Sequence, residues 1–164
     1  MKELMQARDS VIEALWAENV TAFSAFPAEK AMDYAAAVVT VAVGTAEGKA
    51  MGFCNYLGEY QDEKDGTIRE LYGKQLNGSV VVEVRGKDAV TCEEGCQTVS
   101  EVLLGKLPDG IRTGELAWEG LTWEKETAMF YRKGTLQCRM IFTAAAKQED
   151  TTFLDFQLRG VRTN

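Results

Sequence analysis

The apolar pattern of this chain switches three times between the period of a helix and the period of a strand, and this switching constrains the fold most. Residues 3–18 form an amphipathic helix by their spacing. Its apolar positions are Leu4, Met5, Val11, Ile12, Leu15 and Trp16. A second helical stripe lies in the middle of the chain, and from Ile111 onward the period is two. Each amphipathic element must bury its apolar side against another layer.

Several strands are expected between the two helices. A strand is predicted at 37–43, and further apolar segments run over 51–60 and 67–72. The sequence DEKDG at 62–66 ends in an Asp-Gly step, which favours a hairpin turn. Residues 79–85 (SVVVEVR) are the clearest strand, bounded by Asn-Gly before and by a glycine after. Their continuous apolar start indicates a central position in the sheet.

The second helix is predicted to begin at Thr91. Thr91 and Glu94 match the capping box, in which a hydroxyl and a carboxylate each bind a free backbone N–H. One stripe at steps of three or four contains Cys92, Cys96, Val99, Leu103 and Leu107. The sequence Pro108-Asp109-Gly110 ends the helix.

The rest of the chain is predicted to be strands. Leu116 and Trp118 alternate with polar residues, and a turn is expected at Lys133-Gly134. The next strand places Leu136, Cys138, Met140 and Phe142 on one face, and a last strand covers TTFLDFQLRG. The sequence therefore predicts an α+β fold, mainly antiparallel, with two helices packed on one face of the sheet. It predicts one domain over 1–164 with a hairpin insertion around 51–75.

The composition disfavours several classes of function and location. The net charge is −7, from 18 basic and 25 acidic residues, which disfavours tight binding to DNA or RNA. Charges occur throughout the N-terminal residues, so no signal peptide is expected, and no apolar run reaches the 18–20 residues needed to cross a bilayer. Four cysteines in a chain without an export signal are expected to be reduced thiols in the cytoplasm.

The chain has no histidine, which removes histidine-activated nucleophiles, histidine acid–base chemistry and histidine-ligated zinc. Cys92 and Cys96 lie four residues apart, a spacing that fits buried core thiols better than a metal site. The acidic residues between Glu59 and Gly66 lack the ligand spacing of a calcium loop and fit an exposed hairpin tip.

Paired carboxylates raise the alternative of a glycosidase, which uses two such groups. The pairs are Glu115 with Glu119 and Glu124 with Glu126. Alternation along a strand produces such pairs on solvated faces, so the structural interpretation is preferred. No phosphate-binding glycine motif is present in the sequence. The sequence therefore predicts no catalytic, cofactor-binding or metal-binding residue, and a protein that is not an enzyme.

Four segments together resemble the tail terminator, or tail-completion, proteins of tailed bacteriophages. The leading helix is MQARDSVIEALW and the second helix is TCEEGCQTVSEVLLGKL. The closing strands are TLQCRMIFTA and TTFLDFQLRGV. The resemblance is in the order of elements and covers residues 3 to 160. It implies a structural protein without catalytic or ligand residues.

The resemblance also implies partners. The subunit would form a ring, expected to be a homohexamer, that caps the tail tube, stops its polymerisation and joins the tail to the head or neck. Tail tube, sheath and head–neck proteins would be its neighbours, DNA would pass without specific binding, and no membrane is involved. Such a protein is assembled in the host cytoplasm and resides in the virion. The alternatives are a small ligand-binding domain or enzyme, or another tail-tube or connector component.

Overall fold

A computed structural model describes residues 2–27, 34–147 and 154–159. It contains two helices and eight strands in a single sheet. In chain order they are α1 (Lys2–Ala17), β1 (Thr21–Phe23), β2 (Val38–Ala50), β3 (Tyr56–Gln61), β4 (Ile68–Gly86), α2 (Ala89–Gly105), β5 (Ile111–Trp118), β6 (Thr122–Glu124), β7 (Met129–Lys147) and β8 (Gln157–Leu158).

Two long antiparallel strands, β4 and β7, form the spine of the sheet. Their register runs from Arg69 opposite Lys147 to Gly86 opposite Phe130. On one side, β2 and β3 follow each other along β4; on the other, β6, β5 and β8 follow each other along β7. The short β1 pairs in parallel with the start of β2. The predicted α+β fold with a mainly antiparallel sheet is confirmed.

One apolar core joins both helices to the same face of the sheet, as predicted. The helices contribute Ala7, Val11, Ile12, Leu15, Cys92, Cys96, Val99, Val102 and Leu103. The sheet contributes alternate residues of its central strands, among them Val39, Val41, Val80, Val82, Val84, Leu136, Met140 and Phe142. The strand alternation identified from the sequence thus separates a buried face from an open one.

The second helix is capped by a different residue from the predicted one. Asp88 is the N-cap, and its Oδ1 accepts a hydrogen bond of 2.7 Å from the backbone N–H of Thr91. The helix begins at Ala89, which makes Thr91 a residue of its first turn and the recipient of the cap. The prediction of a capping box at Thr91 is therefore wrong by about one turn. The N–H of Thr91, which the box would pair with Glu94, is bound by Asp88 three residues earlier.

The turn predicted at Lys133-Gly134 does not exist, since β7 runs through both residues. Gly134 lies under the ring of Trp118 on the neighbouring strand. A Cβ at this position would lie 2.8 Å from two ring carbons of Trp118. The glycine therefore serves close packing of an aromatic ring and not a change of chain direction.

The boundary predicted at Asn77-Gly78 is also interior to a strand, because β4 is continuous from Ile68 to Gly86. A bulge in β2 brings the carbonyl oxygen of Thr45 over Gly78, where a Cβ would lie 2.1 Å from it. Here too the glycine permits close approach of a neighbouring backbone.

The hairpin at DEKDG is confirmed, since the backbone N–H of Asp62 donates to the carbonyl of Thr67 at 2.8 Å. The strand predicted from Met51 begins only at Tyr56, because Cys54 and Asn55 adopt left-handed backbone angles. Of the predicted last strand, only Gln157–Leu158 form a described strand, β8, and residues 151–153 and 160 lie outside the described residues. The side chain of Gln6 on α1 instead bonds the backbone of this segment, at the carbonyl of Phe156 and the N–H of Leu158.

Candidate assembly surface

The face of the sheet opposite the helices carries polar side chains. Along β4 and β7 they are Gln75, Asn77, Ser79, Thr135, Gln137 and Arg139, and the apolar Val81 and Ile141 lie in the same rows. Among the described residues, both helices pack on the other face, so this open face is covered only at one end, where Phe26 and Tyr34 lie against Val38 and Met129. A polar sheet face without a second layer is a candidate surface for another molecule or for solvent.

A buried ion cluster lies at the covered end of the open face, beside Phe26. Arg85 is 7% exposed, and its Nε and Nη2 donate to the two carboxylate oxygens of Glu124 at 2.7 and 3.0 Å. Its Nη1 donates to Glu83 at 3.2 Å. The rings of Phe26 and Tyr131 lie 4.8 and 4.9 Å from the guanidinium carbon. Bidentate geometry and aromatic contacts together hold this arginine in one position.

The titration of the cluster follows from its contacts. The hydrogen bonds from Arg85 lower the pKa of Glu124, in spite of partial burial. Burial, together with the neighbouring Glu83 carboxylate, raises the pKa of Tyr131 to about 12. Tyr131 is therefore a hydrogen-bond donor to Glu83 at neutral pH, at 3.1 Å. The cluster is satisfied internally and acts as a clamp between β4, β6 and β7.

Several strands of the sheet have an outer edge that pairs with no described strand, and the longest of these edges belong to β2 and β5. β1 pairs with β2 only as far as Thr40, so the outer edge of β2 is uncovered from Val41 onward. On the opposite side of the sheet, β5 is the outermost strand over Ile111–Trp118. Uncovered edges expose backbone N–H and C=O groups that can pair with another strand.

The two uncovered edges occupy the same rows of the sheet. At one end, a single row runs through Val41, Val82, Gly134 and Trp118. At the other end, a row runs through Gly48, Leu76, Met140 and Ile111. The free edge of β2 continues to Ala50, and its segment Val41–Gly48 is level with the whole of Ile111–Trp118 and contains the same number of residues.

Both edges carry a β-bulge in the same place. In β2 the register shifts between Val43 and Ala46, and in β5 it shifts between Thr113 and Leu116. The two shifts lie opposite Ser79 of β4 and Gln137 of β7, which are partners in one row. Each bulge adds one residue to its edge, so the two edges keep equal numbers of residues across it.

One row of the open face is uneven in charge. It runs from Glu47 at the β2 edge through Asn77 and Arg139 to Arg112 at the β5 edge. Arg112 and Arg139 are directly opposite each other, and like charges in this arrangement repel. All three charged side chains are exposed, and none of them bonds another described residue.

Residues 44–73, which we call the arm, are less covered than the rest of the sheet. Gly44, Ala46 and Gly48 line a groove with residues of α1, and Tyr72 packs against the core. Every residue from 44 to 72 is at least partly exposed, and Phe53 at the tip is 86% exposed. The rings of Tyr56 and Tyr72 pack edge to face at 5.6 Å. The arm is thus held mainly by strand pairing and surface contacts.

The carboxylates of the DEKDG turn are bound by the turn itself. Asp65 accepts hydrogen bonds from the N–H and hydroxyl of Thr67 and from Arg69, which together lower its pKa to about 2. Asp62 accepts from the backbone of Lys64 and pairs with Arg69 at 3.0 Å. These contacts favour the hairpin-tip interpretation over a calcium loop.

The structure buries the thiols of Cys92 and Cys96, in agreement with the core interpretation, while Cys54 is exposed on the arm. A hydrogen bond with Cys92 and burial both raise the pKa of Cys96, and burial raises that of Cys138 to about 11. The thiols of Cys96 and Cys138 are therefore protonated at neutral pH. No group of three or more potential metal ligands occurs among the described residues.

One member of each acidic pair from the closing strands, Glu119 of the first pair and Glu124 of the second, is paired with a cation. Glu124 binds Arg85, whereas Glu119 lies 3.9 Å from Lys133. Among the described residues, each carboxyl group with a shifted pKa is shifted downward by a structural partner. These groups are Glu3, Asp65, Asp88, Glu124 and Asp155. A general acid would need a shift in the other direction.

A groove of about 460 Å³ lies between α1 and β1, lined by Ile12, Trp16 and Phe23 with Asp9 and Glu13 at its rim. The indole N–H of Trp16 donates to the carbonyl of Ala22 at 2.9 Å, which fixes the ring beside the groove. The groove has the size of a small-molecule site.

Two features of this surface escaped sequence reasoning. Arg85 appeared only as the last residue of a strand, because its carboxylate partner Glu124 is distant in sequence. The matched bulges left a weaker signal, since Gly44 and Gly114 are glycines within strand patterns, and such glycines often mark bulges.

No described helix is long and apolar enough to pass through a lipid bilayer. The chain matches no protein-family model and no curated protein sequence.

Proposed function

We propose that this chain is a structural subunit of a phage or prophage-derived tail, which assembles with copies of itself into a ring at the end of the tail tube and joins it to the head or neck. One observation carries the proposal: an antiparallel sheet with one open polar face ends in two uncovered edges that are level with each other. The tail context comes from the resemblance of the sequence.

Ring formation gives the two edges partners. A long uncovered edge strand favours uncontrolled pairing between chains, and closure of the sheet on itself removes such edges. A ring uses one patch of a subunit against a different patch of its neighbour. The edges of β2 and β5 lie on opposite sides of the sheet and so provide two such patches on every subunit.

The charge distribution supports passage of DNA without specific binding. The exposed acidic residues of the helix layer include Asp9, Glu13, Glu93, Glu94 and Glu101. The open face of the sheet combines amides such as Gln75, Asn77 and Gln137 with charges of both signs, those of Glu47, Arg112 and Arg139. Neither layer is the broad basic surface that binds phosphates tightly.

The absence of a poised chemical group among the described residues also favours a structural role. The shifted carboxyl groups are lowered in pKa and tied to structural partners. The buried ion cluster around Arg85 is internally satisfied and partly covered by Phe26. Such groups stabilise the fold, and their hydrogen-bonding positions are already occupied by structural partners.

Sedimentation velocity and negative-stain microscopy of the purified full-length protein test the proposal. We expect closed rings of one size, whose fraction rises with protein concentration. Tubes of open length would favour a tail-tube component instead. A protein that stays monomeric at all concentrations, and does not bind isolated tails, would contradict a role in tail assembly.

The groove between α1 and β1 favours a second candidate function, binding of a small apolar ligand. Trp16 borders the groove, so its fluorescence reports occupancy. We expect the Trp16→Phe variant to remove any ligand-dependent fluorescence change that the natural protein shows. If a fragment library changes neither the fluorescence nor the melting temperature, this candidate is excluded.

A further inference from the structure

We propose that, in the assembled protein, the β5 edge of one copy pairs antiparallel with the β2 edge of the next copy. Ile111–Trp118 lies opposite Val41–Gly48, with Arg112 opposite Glu47. The inference rests on the self-association proposed above, and it adds the two surfaces, their direction and their register.

Strand direction supports this pairing. Consecutive neighbours in the order β2, β4, β7, β5 are all antiparallel. β5 therefore runs opposite to β2, and the β2 strand of a second copy placed beside β5 in the same orientation continues the alternation. A second copy turned upside down would bring β5 beside β5, which leaves both β2 edges uncovered.

The limits of the two edges support the register. β1 stops opposite Thr40, so the free edge of β2 begins at Val41, and the same row ends β5 at Trp118. With Val41 opposite Trp118, counting along the antiparallel pair places Gly48 opposite Ile111. The pairing then uses all eight residues of β5 and meets no described strand on β2.

The bulges support the same register independently. A slip of one residue would turn every side chain to the other face of the sheet. Because both edges gain one residue at the same level, the faces agree on both sides of the bulge. Val43 and Leu116 both pack toward the helix layer, whereas Ala42 and Ala117 are both exposed. A partner strand without a bulge would match the alternation of side-chain faces on only one side of the bulge in either edge.

The charges on the two edges are a third argument for the register. Arg112 and Arg139 repel each other across β5 and β7, and no described carboxylate neutralises them. In the proposed register, Glu47 of the next copy extends their row and lies directly opposite Arg112. The contact places a carboxylate beside Arg112 and so offsets the repulsion between the two arginines, which favours this partner and this alignment.

Disulfide formation between engineered cysteines tests the pairing. In the Cys54→Ser background, which removes the exposed thiol, we combine Glu47→Cys with Arg112→Cys. Within one copy these positions are three strand spacings apart, about 14 Å, which is too far for a disulfide. Directly opposite positions across the new contact lie about 4.5–5.5 Å apart, which permits one.

We expect the double variant to form a ladder of covalent oligomers on mild oxidation, up to the number of copies in the ring. Either single variant gives no such ladder. The matched control, Lys49→Cys with Arg112→Cys, moves one thiol two residues along the same face, to a diagonal of about 7–8 Å, and should cross-link weakly. A stronger ladder from this control would overturn the register.

Charge reversal gives a second test of the pairing, in the protein with its natural cysteines. We expect Glu47→Arg alone and Arg112→Glu alone each to weaken association about tenfold, and the double reversal to restore it. Normal rings without the expected cross-link and without charge rescue would overturn this inference and leave the proposed function standing. A protein that never associates would overturn both.

Discussion

The strand β4 passes through two regions of the molecule that differ in how they are covered. In the first region, which we call the body, it lies under α1 and α2, and Val80, Val82 and Val84 are fully buried. In the arm, Leu71 and Tyr72 of the same strand are only partly buried. The comparison shows that the pairing of β4 continues into the arm, but full burial of its large apolar side chains does not.

The difference has an energetic consequence. Each large apolar side chain fully removed from water contributes roughly 1.5–3 kcal/mol to folding, and this contribution is concentrated in the body. The arm depends on its backbone ladder and on exposed ion pairs such as Arg69 with Asp62 and Asp65, which contribute little. We therefore expect the body to determine global stability and the arm to open locally.

The strongest test creates a cavity in each region. Leu103→Ala removes a fully buried side chain of α2 and should cost about 3 kcal/mol. The matched variant Leu57→Ala, in the partly exposed part of the arm, should cost less than about 1 kcal/mol. Urea unfolding measures both, and equal losses would contradict the division into body and arm.

A second test removes one partner of the buried ion cluster. Glu124→Gln weakens the bidentate contact to Arg85 and should cost about 2 kcal/mol at pH 7, because a buried guanidinium loses part of its compensation. The exposed Glu126→Gln is the control.

The same variant has a predicted pH dependence. The pKa of Glu124 is lowered in the folded state, so its contribution is present above its unfolded pKa of about 4.3 and is lost as the pH falls through the lower folded value. The stability difference between natural protein and variant should therefore shrink in urea titrations below about pH 4. A difference that stays constant down to the acid limit would contradict this account of the cluster.

A third test adds one methyl group in each region. Gly134→Ala places a carbon 2.8 Å from the ring of Trp118 and should cost about 1–2 kcal/mol. Gly48→Ala in the arm meets only a methyl group of Leu76, at 3.5 Å, and should be nearly neutral. Melting temperatures measure both, and a tolerated methyl at Gly134 would show that the body is packed less tightly than described.

The smallest effect is expected at the arm turn. Asp65→Asn removes the charge that Thr67 and Arg69 bind, so the turn should open more often. We expect faster hydrogen exchange at the amides of Gly66 and Thr67, with an unchanged urea midpoint. Glu63→Gln, on the same turn, controls for loss of charge alone. A lower urea midpoint for Asp65→Asn would couple the arm to the global fold.

Sequence reasoning succeeded where local pattern decides structure. The helical spacing of Val11, Ile12 and Leu15 and the alternation from Leu136 to Phe142 reproduce buried positions of α1 and β7, whereas Met5 and Trp16 of the predicted stripe are exposed. It failed at glycines, because Gly78 and Gly134 look like turn residues although each accommodates a close neighbour from another strand. Nothing local distinguishes a glycine needed for a turn from one needed under an indole ring.

The sequence by itself determined the two helices, the α+β class and most of the buried positions, because side-chain periodicity fixes which face of each element leaves water. Only the tertiary structure decided which residues meet across the sheet: Arg85 with Glu124, and the level edges of β2 and β5 with their paired bulges. These relations depend on strand order and register, which arise from pairing between segments distant in sequence, and no local pattern encodes them.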